Sequence, residues 1–342
     1  MTRWSDNTLS RTVTGLSSNA SPIGNVTIMR TRSADRDDCD TGMAGVSSTK
    51  TQTQGKMMKK ILPVILLLLP VAVFAQDDSN WKSQEVVPGI YMLESDRGFA
   101  GGNLGLLTGD DGVVLIDDGM PTIPATTVAA SEALTGDPVD FVINTHAHGD
   151  HTGANAAFMD KGATVVVHDN LRQALTEDEE YDQNALPELT FSDSVTFHLN
   201  GHSAYVFHIP SAHTSGDAAI HFRDVNVIHT GDVMFNGMFP FIDLDGGGSV
   251  DGYISGQQKM LAMADNATKI IPGHGPLANK ADLQAAIDML IDGQGMVKAL
   301  VDDGQSLEEV QEANPLSKYA SWDWPFITTE RMTATLYRSL TE

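Results

Sequence analysis

The chain has 342 residues, 41% hydrophobic and 19% charged, with a formal net charge of −24 at neutral pH, so it holds enough apolar material for a sizeable core. Residues 1–75 carry 9 of the 21 Lys and Arg and 5 of the 45 Asp and Glu, which leaves −28 on the remainder. A surface that acidic repels phosphate backbones and anionic lipid heads, which argues against nucleic acid and membrane partners; as a solvated face it names no partner of its own.

Residues 1–56 are rich in Ser, Thr, Asn, Asp and Arg without apolar periodicity, and read as disordered or, preferably, as the product of a start codon assigned too early. Residues 57–75 then have the pattern of a signal peptide. Lys59 and Lys60 form the positive end, residues 61–74 the apolar stretch, and Val73 and Ala75 the small residues ahead of Gln76. That stretch is short of the roughly 20 residues needed to span a bilayer, and Pro63 and Pro70 interrupt it. Cleavage after Ala75 is expected, with no membrane anchor afterwards and a periplasmic or secreted product. The single cysteine, Cys39, lies upstream, so the expected mature chain has no disulfide and depends on its core and on any metal it binds.

Residues 76–342 read as one domain of alternating strands and helices. "GIYMLES", "GNLGLLTGDDGVVLIDDG" and "VDFVINTH" are short β-rich runs with Gly-Asp turns, and "PATTVAASEAL" between the last two is a helix. "DHTGANAAFMDKGATVVVHDN" predicts a helix and a buried strand. The stretch "SVTFHLNGHSAYVFHIPSAHTSGDAAIHFRDVNVIHTGDVMF" predicts a series of strands with turns at Asn200-Gly201 and Ser215-Gly216. "DGYISGQQKMLAMAD" is a helix, "TKIIPGHGP" a strand and loop, and two or three helices complete the chain.

The densest chemistry is "NTHAHGDHTGAN", residues 144–155, where His146, His148, Asp150 and His151 occupy one turn. Imidazole and carboxylate are suitable zinc ligands, and four such groups so close together are hard to explain as surface decoration. Three more loops follow apolar strands: "IPSAHTSGD" with His213, "VIHTGDVMF" with Asp232 and "IIPGHGP" with His274. His198, His202 and His208 lie in strand text and take ordinary structural roles. His168 and His229 read as structural, with orientation of the ligands as the alternative.

In this order the four motifs resemble the metallo-β-lactamase superfamily over residues 80–280. The resemblance implies an α/β fold, a four-layer αββα sandwich, with two zinc ions per chain at one edge of its paired sheets. His146, His148 and His213 would hold the first ion, Asp150, His151 and His274 the second, and Asp232 would bridge them. The pattern departs from the best-known periplasmic lactamases, which place Arg at His151 and Cys at Asp232. Phe235 also stands where a lysine that grips the β-lactam carboxylate is expected. An aspartate bridge is instead the pattern of glyoxalase II, lactonases and tRNA-processing nucleases.

The implied chemistry is hydrolysis by a hydroxide shared between two ions, with Asp150 orienting it as the catalytic carboxylate. No nucleophilic serine is expected, because Ser255 and Gly256 lack the strand-to-helix context of a nucleophile elbow. "FNGMFPFIDLDGGGSVDG" reads as a lid or substrate wall, and "SDRGFAGGNLG", with Phe99, as a second flap over the site. Together with export, these features place a small-molecule substrate first, a β-lactam ahead of a lactone, ester or thioester. An iron-dependent oxidoreductase and an exported metal-binding module without turnover are the readings from other classes.

Overall fold

In the computed structural model, described here for residues 81–95 and 101–342 and for the backbone of 26–28, the chain forms two seven-stranded mixed sheets. The expected signal segment 57–75, the expected new N-terminus at Gln76, and Gly98 and Phe99 lie outside the described residues. In chain order the strands are β1 (Val26–Ile28), β2 (Trp81–Val87), β3 (Ile90–Ser95), β4 (Leu104–Leu107), β5 (Val114–Ile116), β6 (Phe141–Ile143), β7 (Thr164–His168) and β8 (Leu189–Phe191). They continue with β9 (Ser194–Leu199), β10 (His202–His208), β11 (Ala218–Phe222), β12 (Val227–His229), β13 (Lys269–Ile271) and β14 (Ala278–Asn279). The helices are α1 (Pro124–Thr135), α2 (Gly149–Thr152), α3 (Asn155–Asp160), α4 (Asp169–Glu177), α5 (Val250–Met263), α6 (Lys280–Asp302), α7 (Leu307–Ala313) and α8 (Thr329–Thr341).

One sheet runs β2-β3-β4-β5-β6-β7-β8 and the other β1-β9-β10-β11-β12-β13-β14. Their strands alternate sides with period two and bury both. Val114, Ile116, Phe141, Ile143 and Val166 meet Val195, Phe197, Val206, Ile220 and Phe222 between the sheets. Leu115, Val142, Val165 and Val167 point the other way and pack on Val128, Phe158, Leu171 and Leu175 of α1, α3 and α4. Outside the second sheet, Phe207, Ile228 and Ile270 pack on Tyr253, Met260, Leu283, Ile287, Leu290 and Leu336 of α5, α6 and α8. Three apolar layers between four structural layers make this the αββα sandwich expected from the sequence.

The predicted elements recur with instructive differences. The Asn200-Gly201 turn joins β9 to β10 with positive φ at both residues, 56° and 77°, the geometry a two-residue hairpin favours. The helix expected after the histidine turn is two short ones. Ala154, between them, leaves helical geometry with φ of −105° and ψ of 7°, and Gly153 passes Pro121 so closely that a Cβ there would lie 2.2 Å from its N. α4, which the sequence reading omits, starts directly on the last residue of β7: the His168 ring caps it by accepting from Asn170 N, and Leu171 and Leu175 bury its inner face. Strands β5 to β8 run parallel, as do β12 and β13. Their C-terminal ends therefore open on the same edge of the sandwich, where ligand sites of α/β sheets form.

Candidate active site

β6 ends at Ile143 and delivers residues 144–151 to that edge. Two hydrogen bonds fix the turn: Asn144 Nδ2 donates to His151 O (2.8 Å), and Thr145 N donates to Asp117 Oδ1 (2.7 Å). Asp117 follows β5 with φ of 59°, a left-handed conformation that an aspartate tolerates when its side chain is held. Its Oδ2 accepts from Thr145 Oγ1 (2.9 Å) and from His151 Nδ1 (2.8 Å). Thr145 Oγ1, its proton given to Asp117, accepts from His146 Nδ1 at 3.0 Å. One buried carboxylate therefore sets the tautomers of two rings and leaves Nε2 of each facing inward.

The other ligand types are aimed in the same way. His213 Nδ1 donates to Phe241 O (2.7 Å), so its Nε2 faces inward, 2.9 Å from His148 Nδ1. His148 is reversed. Its Nε2 meets Asp243 Oδ2 at 3.0 Å, which leaves Nδ1 for the cluster. Asp232, in the turn after β12, reaches His151 Nε2 with Oδ1 (3.2 Å) and His274 (3.4 Å), His213 (3.5 Å) and His146 (3.7 Å) with Oδ2. His274 Nε2 is also 3.4 Å from Asp150 Oδ2.

All seven residues singled out from the sequence converge. They fall into His146, His148, His213 and Asp232, and Asp150, His151 and His274, with the ligand atoms of each group within 4.8 Å of one another. His146 Nε2, His151 Nε2 and Asp232 Oδ1 are buried without a hydrogen-bond partner, an arrangement that costs about 1–3 kcal/mol per group unless a cation satisfies it. The backbone closes in tightly around the cluster. A Cβ at Gly102 would lie 2.2 Å from His151 Cε1, and one at Gly273 would lie 2.0 Å from Asp232 Oδ1. The residues present fit a pair of divalent ions of zinc type.

Electrostatics agree. Burial would raise Asp232, but His151, His274 and His146 outweigh it and hold the carboxyl well below its usual range. Burial works to lower His151 and His274, yet the carboxylates outweigh it: Asp232, Asp150 and Asp117 push His151 well up, and Asp232 and Asp150 push His274 to about 9. Burial dominates at His146, held well below its usual value, and at His213, brought down to about 4. The carboxylates stay ionised and draw positive charge onto themselves, the field that attracts a cation.

The family model for the Metallo-beta-lactamase superfamily matches residues 97–274, which include all seven. The chain belongs to the metallo-beta-lactamase superfamily. Like other members of that superfamily it is a hydrolase. A hydroxyacylglutathione hydrolase of Pelagibacter ubique is 30% identical over 99 residues, 28% of this chain and 36% of that relative, so the match spans little more than a third of the relative's length. A Bacillus subtilis metallo-hydrolase is 26% identical over 183 residues, 51% of this chain and 85% of its own. Among solved structures, a metallo-beta-lactamase from Pontibacter korlensis superposes with a TM-score of 0.55 at 17% identity, covering 62% of this chain and 99% of that one. FIM-1 from Pseudomonas aeruginosa gives 0.53 at 16%, with 63% and 96% covered. At such identities the likeness is one of fold.

Above the superfamily site lies a pocket of about 530 Å³ with His148, Asp150, Asp232 and His274 on its floor. Its walls are Met120, Pro121, Phe235, Phe241, Trp324 and Phe326, and no lysine or arginine is among the described residues that line it. The stretch after Asp232, expected as a lid or wall, is a packed wall. Phe235 and Phe239 are buried, Asn236 N donates to His274 O (2.9 Å), and Trp324 Nε1 donates to Phe239 O (2.8 Å). Phe235 stacks on the His274 ring, centroids 4.8 Å apart.

Sequence reasoning did not single out Asp117, Asp243, Trp324 or Phe326. Asp117 belongs to "DDG" (117–119), which looks the same as the true hairpin turn "DDG" at 110–112. Trp324 and Phe326 lie some fifty residues past the last ligand motif, and their place at the site depends on the packing of α6 and α8. Other histidines take structural roles: His168 donates to Ser192 O, His208 to Ser215 O, and His202 meets Asp224. His229 is buried beneath the site, its Nδ1 accepting from Gly231 N.

Proposed function

We propose that this superfamily hydrolase holds two zinc ions and cleaves a neutral, apolar lactone or ester met outside the cytoplasm. His146, His148 and His213 would hold one ion, Asp150, His151 and His274 the other, and Asp232 both. The observation that carries the substrate is the pocket wall, four aromatic rings with no lysine or arginine among the described lining residues. The sequence alone places β-lactams first. The wall reverses that order, because a β-lactam brings a carboxylate that finds no lysine or arginine among the described lining residues, Arg331 being engaged with Phe326 O and the Phe326 ring, and Phe235 is buried against His274 where a lysine would be needed.

When bound, such ions supply an acidified water and Lewis-acid polarisation of the carbonyl. The chain's residues do the rest. Asp150 lines the pocket with its carboxyl held well below the usual range, because His151 and His274 outweigh the effect of burial. It stays ionised and accepts a hydrogen bond from the attacking water, orienting its lone pair toward the carbonyl carbon. As the new carbon–oxygen bond forms and the bond to the leaving oxygen breaks, the proton that the attacking water shares with Asp150 Oδ2 passes from the water to that leaving oxygen. The aromatic wall excludes bulk water.

β-Lactam hydrolysis is the second reading, favoured by the signal-like segment 57–75, which would bring the protein to where such compounds are met. Zinc-loaded protein offered nitrocefin, imipenem, a homoserine lactone, a simple ester and a thioester distinguishes the two. The proposal expects the lactone or ester to be opened faster than either β-lactam. Rapid β-lactam opening with the lactone and ester intact selects the second reading, and inertia of a two-zinc protein toward the whole panel refutes both. For export, the N-terminal sequence of secreted material should begin at or near Gln76; retention of residues 1–56 contradicts it.

A further inference from the structure

The aromatic side chains of the pocket form one continuous arc. Ring centroids are 5.3 Å apart from Phe241 to Phe326, 5.5 Å from Phe326 to Trp324 and 6.0 Å from Trp324 to Phe235. At one end Phe241 lies 5.7 Å from the His148 ring of the first ligand group, and at the other Phe235 stacks on His274 of the second. The arc therefore spans the site from one group to the other. Its two central rings belong to residues beyond the 97–274 that match the family.

These rings are held in place. Trp324 is tied through Nε1 to Phe239 O and through its backbone N to Ile327 O (3.1 Å). Arg331 donates to Phe326 O (3.0 Å) and sets its guanidinium 4.2 Å from the Phe326 centroid. Yet Phe326 remains 44% exposed, one of two large apolar side chains left so among the described residues. A preorganised ring that stays exposed at the mouth of an apolar pocket has surface left for a ligand to cover. Centroid spacings of 4.5–7 Å are those at which a further ring packs by edge or offset face.

We propose that the arc is a subsite for a planar aryl group next to the scissile carbonyl, with Trp324 and Phe326 as its specificity-determining residues. The inference rests on the lactone or ester reading above. A ring seated against Trp324 and Phe326 places the adjoining carbonyl over the floor between His148 and His274.

The test compares ethyl acetate with ethyl phenylacetate and benzyl acetate on zinc-loaded protein, and follows phenylacetamide and acetamide binding to metal-free protein by ligand-observed NMR. At least one aryl ester should exceed ethyl acetate about ten-fold in kcat/KM, mainly through KM. Phe326→Ala and the milder Trp324→Phe should reduce that ratio, the alanine by about ten-fold. Phenylacetamide should bind wild type in preference to acetamide and lose affinity in Phe326→Ala, an exposed position at which folding is expected to survive. Equal kcat/KM across the three esters, or phenylacetamide binding unchanged by Phe326→Ala, overturns the subsite. If no ester is cleaved while phenylacetamide binds wild type and is weakened in the variant, the subsite stands and the lactone or ester reading falls.

Discussion

Asp117→Asn separates orientation of the ligands from folding. The carboxylate accepts three hydrogen bonds, from Thr145 N, Thr145 Oγ1 and His151 Nδ1. An asparagine of the same shape keeps the first with its carbonyl oxygen and can donate to Thr145 Oγ1, whose lone pairs suit either role. It cannot serve the third. An amide N–H in the place of Oδ2 faces His151 Nδ1–H, so the imidazole must move its proton to Nε2, the nitrogen that faces the cluster. Thr145 Oγ1, no longer donating to Asp117, is also free to donate to His146 Nδ1, which turns that ring as well. Loss of such an outer hydrogen bond typically weakens metal affinity 10–100-fold, or about 1.4–2.8 kcal/mol. The left-handed φ of 59° at this position is tolerated by asparagine, so the fold should persist. Zinc titration against a competing chelator should show weakened binding in both groups, with the metal-free melting temperature changed by only a few degrees. Wild-type zinc affinity in a folded Asp117→Asn would refute the assignment of Asp117 as the group that orients His151 and His146.

Three further outcomes are expected. Gly102→Ala places a methyl group inside the His151 ring contact and should cost about 1–3 kcal/mol together with metal affinity; a melting curve and zinc stoichiometry equal to wild type would contradict the close approach. His168 and His208 stack 3.6 Å apart, and burial lowers both from an ordinary value near 6.5. The native state therefore binds fewer protons than the unfolded chain, so their contribution is full above about pH 6.5 and is lost as pH falls through the lowered values. His208→Gln should flatten the fall of melting temperature between pH 7 and 5, and an unchanged slope would count against the pair. Phe235→Lys adds a cation to the wall: KM for a carboxylate-bearing β-lactam should fall roughly ten-fold to a hundred-fold, from a contact of about 1.5–3 kcal/mol, while a neutral lactone gains nothing. Equal changes for both compounds would mean that the lysine acts other than by charge.

The cluster of seven residues was legible because each of its members ends an apolar strand or begins the turn after one, and because His and Asp at these spacings have few structural uses. The sandwich was legible for the same reason: runs such as "GVVLIDD" and "ATVVVHD" must bury both faces. What the sequence hid depends on distance along the chain. Asp117 acts on His151 across two parallel strands, and Asp243 reaches His148 from a loop 95 residues away. Glycine-rich text after Asp232 suggested mobility, but its phenylalanines are packed by Trp322 and Trp324, and Arg338 of α8 pairs with Asp245 at its far end. α4 was hidden because its cap is a strand's last histidine rather than one of the usual Ser, Thr, Asp or Asn caps.

In the proposed centre Asp232 serves two metal ions at once. Metal content of wild type and Asp232→Ala after dialysis against limiting zinc, beside Asp232→Cys, whose thiolate can also ligate zinc, tests it most directly. Wild type should hold two zinc ions per chain, the alanine variant should lose zinc from both groups, and the cysteine variant should retain it. Two tightly held ions and undiminished hydrolysis in Asp232→Ala would contradict it.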